Sequence, residues 1–203
     1  MNQTDLFAQK SKSWDMKSRR VQNAQSIAAL IVKNIALKES MEVMDFGAGT
    51  GLLSFFLAQK VAKVVAVDNS PSMLEEFNKK SLEFASQTES ILLDLSINKL
   101  ERTFDGIVSS MTIHHVENIK ALFSSFYDML EENGFIAIAD LDKEDGSFHS
   151  DNMGVFHYGF KRELLESIAK EVGFETIVFE TASTIEKPHQ NFTVFLMTAY
   201  KKS

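Results

Sequence analysis

Apolar and polar positions along the chain follow two different periods. Between residues 18 and 38, Val21, Ala24, Ile27, Ala28, Ile31 and Ile35 recur every three or four positions, which predicts an amphipathic helix. Residues 41–46 form instead a short, largely apolar run that ends against glycines, the mark of a buried strand. The pair of patterns then repeats. A helix is expected over 52–59, and a β-branched strand over 63–67 that ends at Asp68. A further helix is expected over 71–85, with Ser70 as its cap and Pro71 at the first position, where a missing N–H costs nothing. Strands follow at 91–94 and 105–109, a helix at 118–130 and a strand at 135–141. Residues 142–158 are polar and read as a loop. Residues 161–172 are helical up to Gly173, and β-rich segments at 174–181 and 191–200 form a hairpin about Lys187 and Pro188.

Apolar runs without alternation belong to strands covered on both faces, so strand–helix repetition of this kind predicts an α/β fold with a mostly parallel sheet. The terminal hairpin adds an antiparallel strand. No repeat or low-complexity linker interrupts the 203 residues, and one domain over 1–203 is expected. Seventeen Phe against one Trp and three Tyr suggest an interior of large apolar rings.

A formal net charge of −7 argues against a nucleic-acid partner, which needs a cationic surface. The basic residues Lys10, Lys12, Lys17, Arg19 and Arg20 are equally explained as a solvated helix face. With no cysteine, disulfides, zinc–thiolate sites and cysteine nucleophiles are excluded. The first residues lack the apolar core of a signal peptide, and no stretch has the length of a membrane-spanning helix. A cytoplasmic protein without a membrane partner is expected.

The densest chemistry lies in residues 43–51, VMDFGAGTG. Gly47, Gly49 and Gly51 follow a strand and open a helix, a setting that permits a tight turn and close approach of a nucleotide-type ligand. Asp68 ends the next strand, 17 residues after Gly51, where a carboxylate accepts hydrogen bonds from ribose hydroxyls. Leu52 stands where a dinucleotide turn needs its third glycine, and no Gly-Lys-Ser/Thr follows as in a phosphate loop. Asp45 beside the turn opposes a pyrophosphate and suits a cation. S-adenosylmethionine carries a sulfonium and an ammonium and no phosphate, and the electrostatics favour it.

Residues 43–51 resemble motif I of the class I S-adenosylmethionine-dependent methyltransferases. Asp68 matches the ribose acid, Leu92-Leu93-Asp94-Leu95 resembles the segment that closes on adenine, and residues 104–110 resemble the fourth strand and its exit. The likeness runs from about residue 18 to 200 and is nearest to the small-molecule branch typified by ubiquinone/menaquinone-biosynthesis-like enzymes. It implies a Rossmann-like seven-stranded sheet of order 3-2-1-4-5-7-6, the last strand antiparallel, with helices on both faces. It also implies a cofactor site of Asp45, Gly47, Ala48, Gly49, Gly51, Asp68, Asn69, Met73, Asp94, Leu95, Ser110 and Met111. Some of these have plain alternatives: Asp94 as a loop cap, Met73 as core.

Methyl transfer from a sulfonium is an in-line displacement, and a base is needed only for an acceptor that arrives protonated. His114 and His115 follow the fourth strand, where either can serve as that base or simply line the pocket; His115 is the better candidate to touch cofactor. The loop Ser109-Ser110-Met111-Thr112 lacks the Asn/Asp-Pro-Pro-aromatic motif of nucleic-acid amino methyltransferases, and no glutamate pair follows to hold a guanidinium. A small-molecule methyl acceptor is therefore expected. The 142–158 loop is a candidate substrate wall, and the segment before residue 18, with Trp14, a candidate lid. Asp142, His149, Asp151 and His157 lack regular ligand spacing, and no metal is expected. Two other readings are a cofactor-binding protein of this fold without turnover and a short-chain oxidoreductase. Against the latter, Tyr127, Tyr158 and Tyr200 all lack a Lys four residues on.

Overall fold

The computed structural model describes residues 18–202, and Trp14 and the rest of the candidate lid lie outside them. Twelve elements of regular structure alternate along the chain. Helix α1 (Ser18–Asn34) precedes strand β1 (Glu42–Phe46), α2 (Leu52–Leu57), β2 (Lys63–Asp68), α3 (Pro71–Ser81) and β3 (Gln87–Leu92). Then come β4 (Phe104–Ser110), α4 (Ile119–Asp128), β5 (Leu130–Leu141), α5 (Arg162–Val172), β6 (Phe174–Lys187) and β7 (Gln190–Lys201). A single 3₁₀ turn, Ile113–His115, sits between β4 and α4.

The strands form one sheet in the order β3-β2-β1-β4-β5-β7-β6, as the resemblance implied. The first five run parallel, and β7 lies antiparallel to both β5 and β6. Alternate residues of each strand feed two cores. On one face Met44, Val65, Ile107 and Ile138 meet Leu122, Phe123 and Phe126 of α4 and Leu165 of α5. On the other, Val43, Val64, Val108 and Ala137 meet Ile27 and Ile31 of α1 and Leu53 and Leu57 of α2. Both faces are thus dry, which is why the strands read as apolar runs.

Several local bounds are corrected, among them α3, which ends at Ser81 rather than 85, β5, which begins at Leu130 rather than 135, and β6, which runs on to Lys187 rather than 181. The third strand spans Gln87–Leu92 rather than 91–94, so Asp94 lies in the loop beyond it. Its polar residues hid it: at the sheet edge Glu89 is held by Lys63 at 2.6 Å and Arg102 at 2.9 Å, so charge pairing takes the place of apolar burial. The first helix stops at Asn34 rather than 38, and the Asn34 amide turns to Glu180 of β6. The predicted cap holds: Ser70 accepts from the Met73 N–H at 3.2 Å. The structure adds another, with Asn118 accepting from the Ala121 N–H at 2.9 Å.

Candidate functional site

All parallel strands point their carboxyl ends to one edge, and the crevice outside that edge is where ligands bind in open α/β sheets. There β1 runs into the glycine turn. Gly47 donates to the Val67 carbonyl at 2.8 Å and Gly51 to that of Ala48 at 2.9 Å, tying the turn to β2 and to itself. Gly47 has φ 65°, and a Cβ on it would lie 2.1 Å from Thr112 Cγ2; a Cβ on Gly51 would lie 2.6 Å from the Phe77 ring. These two glycines are thus demanded by protein neighbours. Gly49 differs. Among the described residues a Cβ there meets Met73 Sδ alone, at 3.9 Å, so of the three glycines it is the one whose surface they leave open to a ligand.

Asp68 reaches back to this open position. Its carboxylate accepts from the Gly49 N–H and the Ser70 N–H, both at 2.8 Å, which fixes the acid at the lip of the turn. Asn69 follows it and donates to the Asp94 carboxylate at 3.5 Å. Asp94 also accepts from the Ser96 N–H at 2.9 Å and hydroxyl at 2.5 Å, so it both caps its loop and stands beside Asn69. Leu95 turns its side chain into the core, and Met73 is buried beneath Gly49.

Asp45 is fully buried and accepts from the Ser54 hydroxyl at 2.5 Å. Burial, with the negative Asp68 nearby, pushes its carboxyl up to about 7 despite that hydrogen bond. Two acids thus press on one turn. The arrangement opposes a phosphate and is relieved by a cation.

Beyond β4, Ser110 leads into Met111, whose φ of 57° is unusual for a side chain of its size. The Met111 N–H donates to Ala139 at 2.8 Å, and the Thr112 hydroxyl lies 3.2 Å from the Gly47 carbonyl. This strained corner therefore joins the strand exit to the glycine turn.

The 3₁₀ turn next presents the two histidines in different roles. His114 is buried, and its Nδ1 pairs with Asp140 Oδ1 at 2.7 Å; the other Asp140 oxygen takes the His114 backbone N–H at 3.2 Å. Its Nε2 is buried without a partner among the described residues. His115 donates from Nδ1 to the Gly154 carbonyl at 2.6 Å and so holds the 142–158 loop. The structure thus sets His114, rather than His115, on a carboxylate. Sequence reasoning did not single out Asp140, although it ends β5 at the edge where His114 follows β4. The structure also adds His149, whose ring lies 5.0 Å from that of His114 and 5.8 Å from that of His115. Burial, with the neighbouring imidazoles and Lys187, pushes His149 down to about 4, so it is neutral at physiological pH.

The loop itself is closely tied. Asp142 forms a two-pronged pair with Arg162, 2.7 Å on each arm, and Glu144 gathers the N–H groups of Gly146, Ser147 and Phe148. Asp151 accepts from Met153, and His157 Nε2 donates to Val116. The four candidate metal ligands are therefore dispersed, and among the described residues no group of three or more His, Asp or Glu is placed to hold a metal ion. Among them too, no helix is long and apolar enough to cross a membrane.

A family model described as a methyltransferase domain matches residues 18–178, and the chain belongs to that family. It is 29% identical over 144 residues to an uncharacterized methyltransferase of Schizosaccharomyces pombe, covering 63% of this chain and 51% of that protein. The fold is similar to that of Haemonchus contortus phosphoethanolamine N-methyltransferase 2 in complex with S-adenosyl-L-methionine, with TM-score 0.73 and 17% identity, over 100% of this chain and 61% of that one. It is also similar to magnesium protoporphyrin IX methyltransferase from Synechocystis with bound S-adenosylmethionine, with TM-score 0.67 and 21% identity, over 100% of this chain and 87% of that one. The chain spans about half the length of the yeast relative and less than two-thirds of the nematode enzyme.

Proposed function

We propose that this protein is an S-adenosylmethionine-dependent methyltransferase, a single domain acting on a small-molecule acceptor by in-line displacement. The observation that carries the reading is the acidic glycine turn: Asp68 on the Gly49 N–H, buried Asp45 behind it, and room for a ligand at Gly49 alone. Asp68 receives the ribose hydroxyls, Asn69, Met73 and the 94–95 loop flank the adenosine, and Asp45, Ser110 and Met111 border the methionine end. When bound, the cofactor supplies a methyl group on a cationic sulfur. The chain's own part is to hold that cation against Asp45 and Asp68, exclude water, and align the acceptor.

The small-molecule branch, similar to the ubiquinone/menaquinone-biosynthesis enzymes, is supported by the absence of the Asn/Asp-Pro-Pro-aromatic motif after β4. The 142–158 loop, folded against His114 and His115, suits the wall of an acceptor pocket; its Phe156 and His157 N–H groups donate to the His114 carbonyl at 3.0 and 3.2 Å. Isothermal titration calorimetry tests the cofactor: S-adenosylmethionine and S-adenosylhomocysteine are expected to bind and NADH to give no heat. Binding of NADH alone overturns the reading in favour of an oxidoreductase. Cofactor binding without label transfer to any of a broad metabolite panel favours a protein of this fold without turnover.

A further inference from the structure

Behind the strained corner at Met111, the edge of β4 and β5 carries three imidazoles that cofactor binding leaves unexplained. His114 and His115 lie ring to ring at 4.2 Å, and His149 of the 142–158 loop closes on both. Two nitrogens in this cluster, His114 Nε2 and His149 Nε2, are buried with no hydrogen-bond partner among the described residues. An unsatisfied buried polar atom costs about 1–3 kcal/mol, and two on neighbouring rings mark a place that a polar ligand group completes.

The hydrogen bonds decide what that group is. A carboxylate only accepts, so Nδ1 of His114 carries a proton toward Asp140, and in the neutral ring its Nε2 presents a lone pair. His149 is neutral at physiological pH. With the Nε2–H tautomer of His149, the one that sets a donor beside that lone pair, the cluster asks for one group that donates to His114 and accepts from His149. A neutral hydroxyl does both. A carboxylate has no proton for His114, and an alkylamine, protonated at neutral pH, has no lone pair for His149. Charge points the same way. Asp140 is engaged by the His114 ring, its backbone N–H and the Leu141 N–H, while the Lys187 ammonium lies 4.2 Å above the Phe148 ring, next to His149, and disfavours a second cation. Phe148 also stands edge-on to His149, with ring centres 4.9 Å apart, and gives the place an apolar side.

We infer that the acceptor is a neutral hydroxyl compound with an apolar body, that His114 is the catalytic base that takes its proton, and that Asp140 is the positioning residue. The inference rests on the methyltransferase reading above. The hydroxyl O–H bond breaks and an Nε2–H bond forms on His114. The electron pair stays on oxygen, ready for the methyl group that the cofactor supplies. The new imidazolium stands against Asp140, so the charge it creates in the interior is paired. His149 holds the hydroxyl from the loop side and covers His114 until the acceptor arrives. His115 Nδ1 is committed to the Gly154 carbonyl and holds that loop in place.

The test uses the full chain, labelled with ¹⁵N-histidine and saturated with S-adenosylhomocysteine, with phenol and benzoate as probes that share one phenyl ring. Long-range ¹H–¹⁵N spectra are expected to show His114 as the Nδ1–H tautomer. Phenol should shift the His114 and His149 Nε2 signals, and benzoate should leave them in place. In a folded Asp140→Asn variant the single tautomer gives way to a mixture. In His149→Ala phenol binds about tenfold more weakly, the loss of one hydrogen bond to a neutral partner. An Nε2–H tautomer at His114, equal shifts from benzoate, no shift from phenol, or an Asp140→Asn spectrum unchanged from wild type each overturns the inference. The two readings fail differently: no binding of S-adenosylhomocysteine removes the methyltransferase reading itself, whereas binding with unresponsive imidazoles removes only the hydroxyl acceptor.

Discussion

The two halves of the candidate site are built from different materials. Around β1 and β2 the working parts are backbone: a turn whose glycines are pressed by Thr112 and Phe77, and N–H groups held by Asp68. Around β4 and β5 they are side chains, three imidazoles and a carboxylate supplied by a 3₁₀ turn, a strand end and a loop. A backbone cradle tolerates little change, because its shape is set by φ angles and by contacts a Cβ would violate. A side-chain cluster on a loop can be varied without disturbing the sheet. The first half suits a ligand that does not vary, the second a ligand that can.

The sharpest way to break this contrast is Gly47→Ala. A side chain at φ 65° and 2.1 Å from Thr112 is expected to cost about 2–5 kcal/mol, the sum of left-handed strain and overpacking, read by urea denaturation. Gly49→Ala keeps the strain without the overlap, so it is expected to cost only about 1–2 kcal/mol in stability while weakening cofactor binding. Equal stability losses in the two variants would erase the distinction between a glycine required by the fold and one required by the ligand.

Asp45 gives the next largest effect, and its sign is opposite to that of an ordinary paired carboxylate. Its folded pKa, about 7, lies above the unfolded 3.8, so the folded state binds the extra proton between those values. The stability it contributes is full below pH 4 and is lost as pH rises through 7, on the order of 4 kcal/mol for a shift of this size. Thermal unfolding of the ligand-free protein from pH 4 to 8 is expected to show this decline, and Asp45→Asn to flatten it. Binding of a cationic cofactor near pH 6 should release a proton, seen as a calorimetric heat that depends on the buffer.

Asp68→Ala comes third. Loss of a charged acceptor for buried hydroxyls is expected to weaken cofactor affinity by about 1–3 kcal/mol, measured by titration on a folded variant. Unchanged affinity removes Asp68 from the ribose site.

The cradle was legible in the sequence because its parts are local. Gly47, Gly49 and Gly51 lie within five residues, Asp68 follows at a fixed strand–helix distance, and apolar runs announce buried strands. The sequence pattern did not separate the three glycines, since the neighbours that require Gly47 and Gly51 are Thr112 and Phe77, far along the chain. The imidazole cluster was legible only in part. His114 and His115 stood out beside the strand, but Asp140, 26 residues beyond His114, and His149 join them only through the β4–β5 pairing and the fold of the loop. The third strand is hidden in the sequence because an edge strand stabilised by Lys63, Glu89 and Arg102 carries no apolar run.

The smallest effect sharpens the other half. His115→Ala removes the bond to Gly154 and is expected to cost about 1 kcal/mol, felt as faster amide exchange across the 142–158 loop with cofactor affinity unchanged. A loss of cofactor binding instead would join His115 to the cradle and blur the division.

Whether the acidic turn is a cradle for a cationic nucleoside cofactor is decided by a crystal structure with S-adenosylhomocysteine. Ribose hydroxyls are expected within about 3.2 Å of the Asp68 carboxylate, with the chain at Gly49 against the ligand and the sulfur directed toward Met111 and the imidazoles. A ligand bound away from Asp68, or with its sulfur turned from the β4 exit, contradicts the cradle.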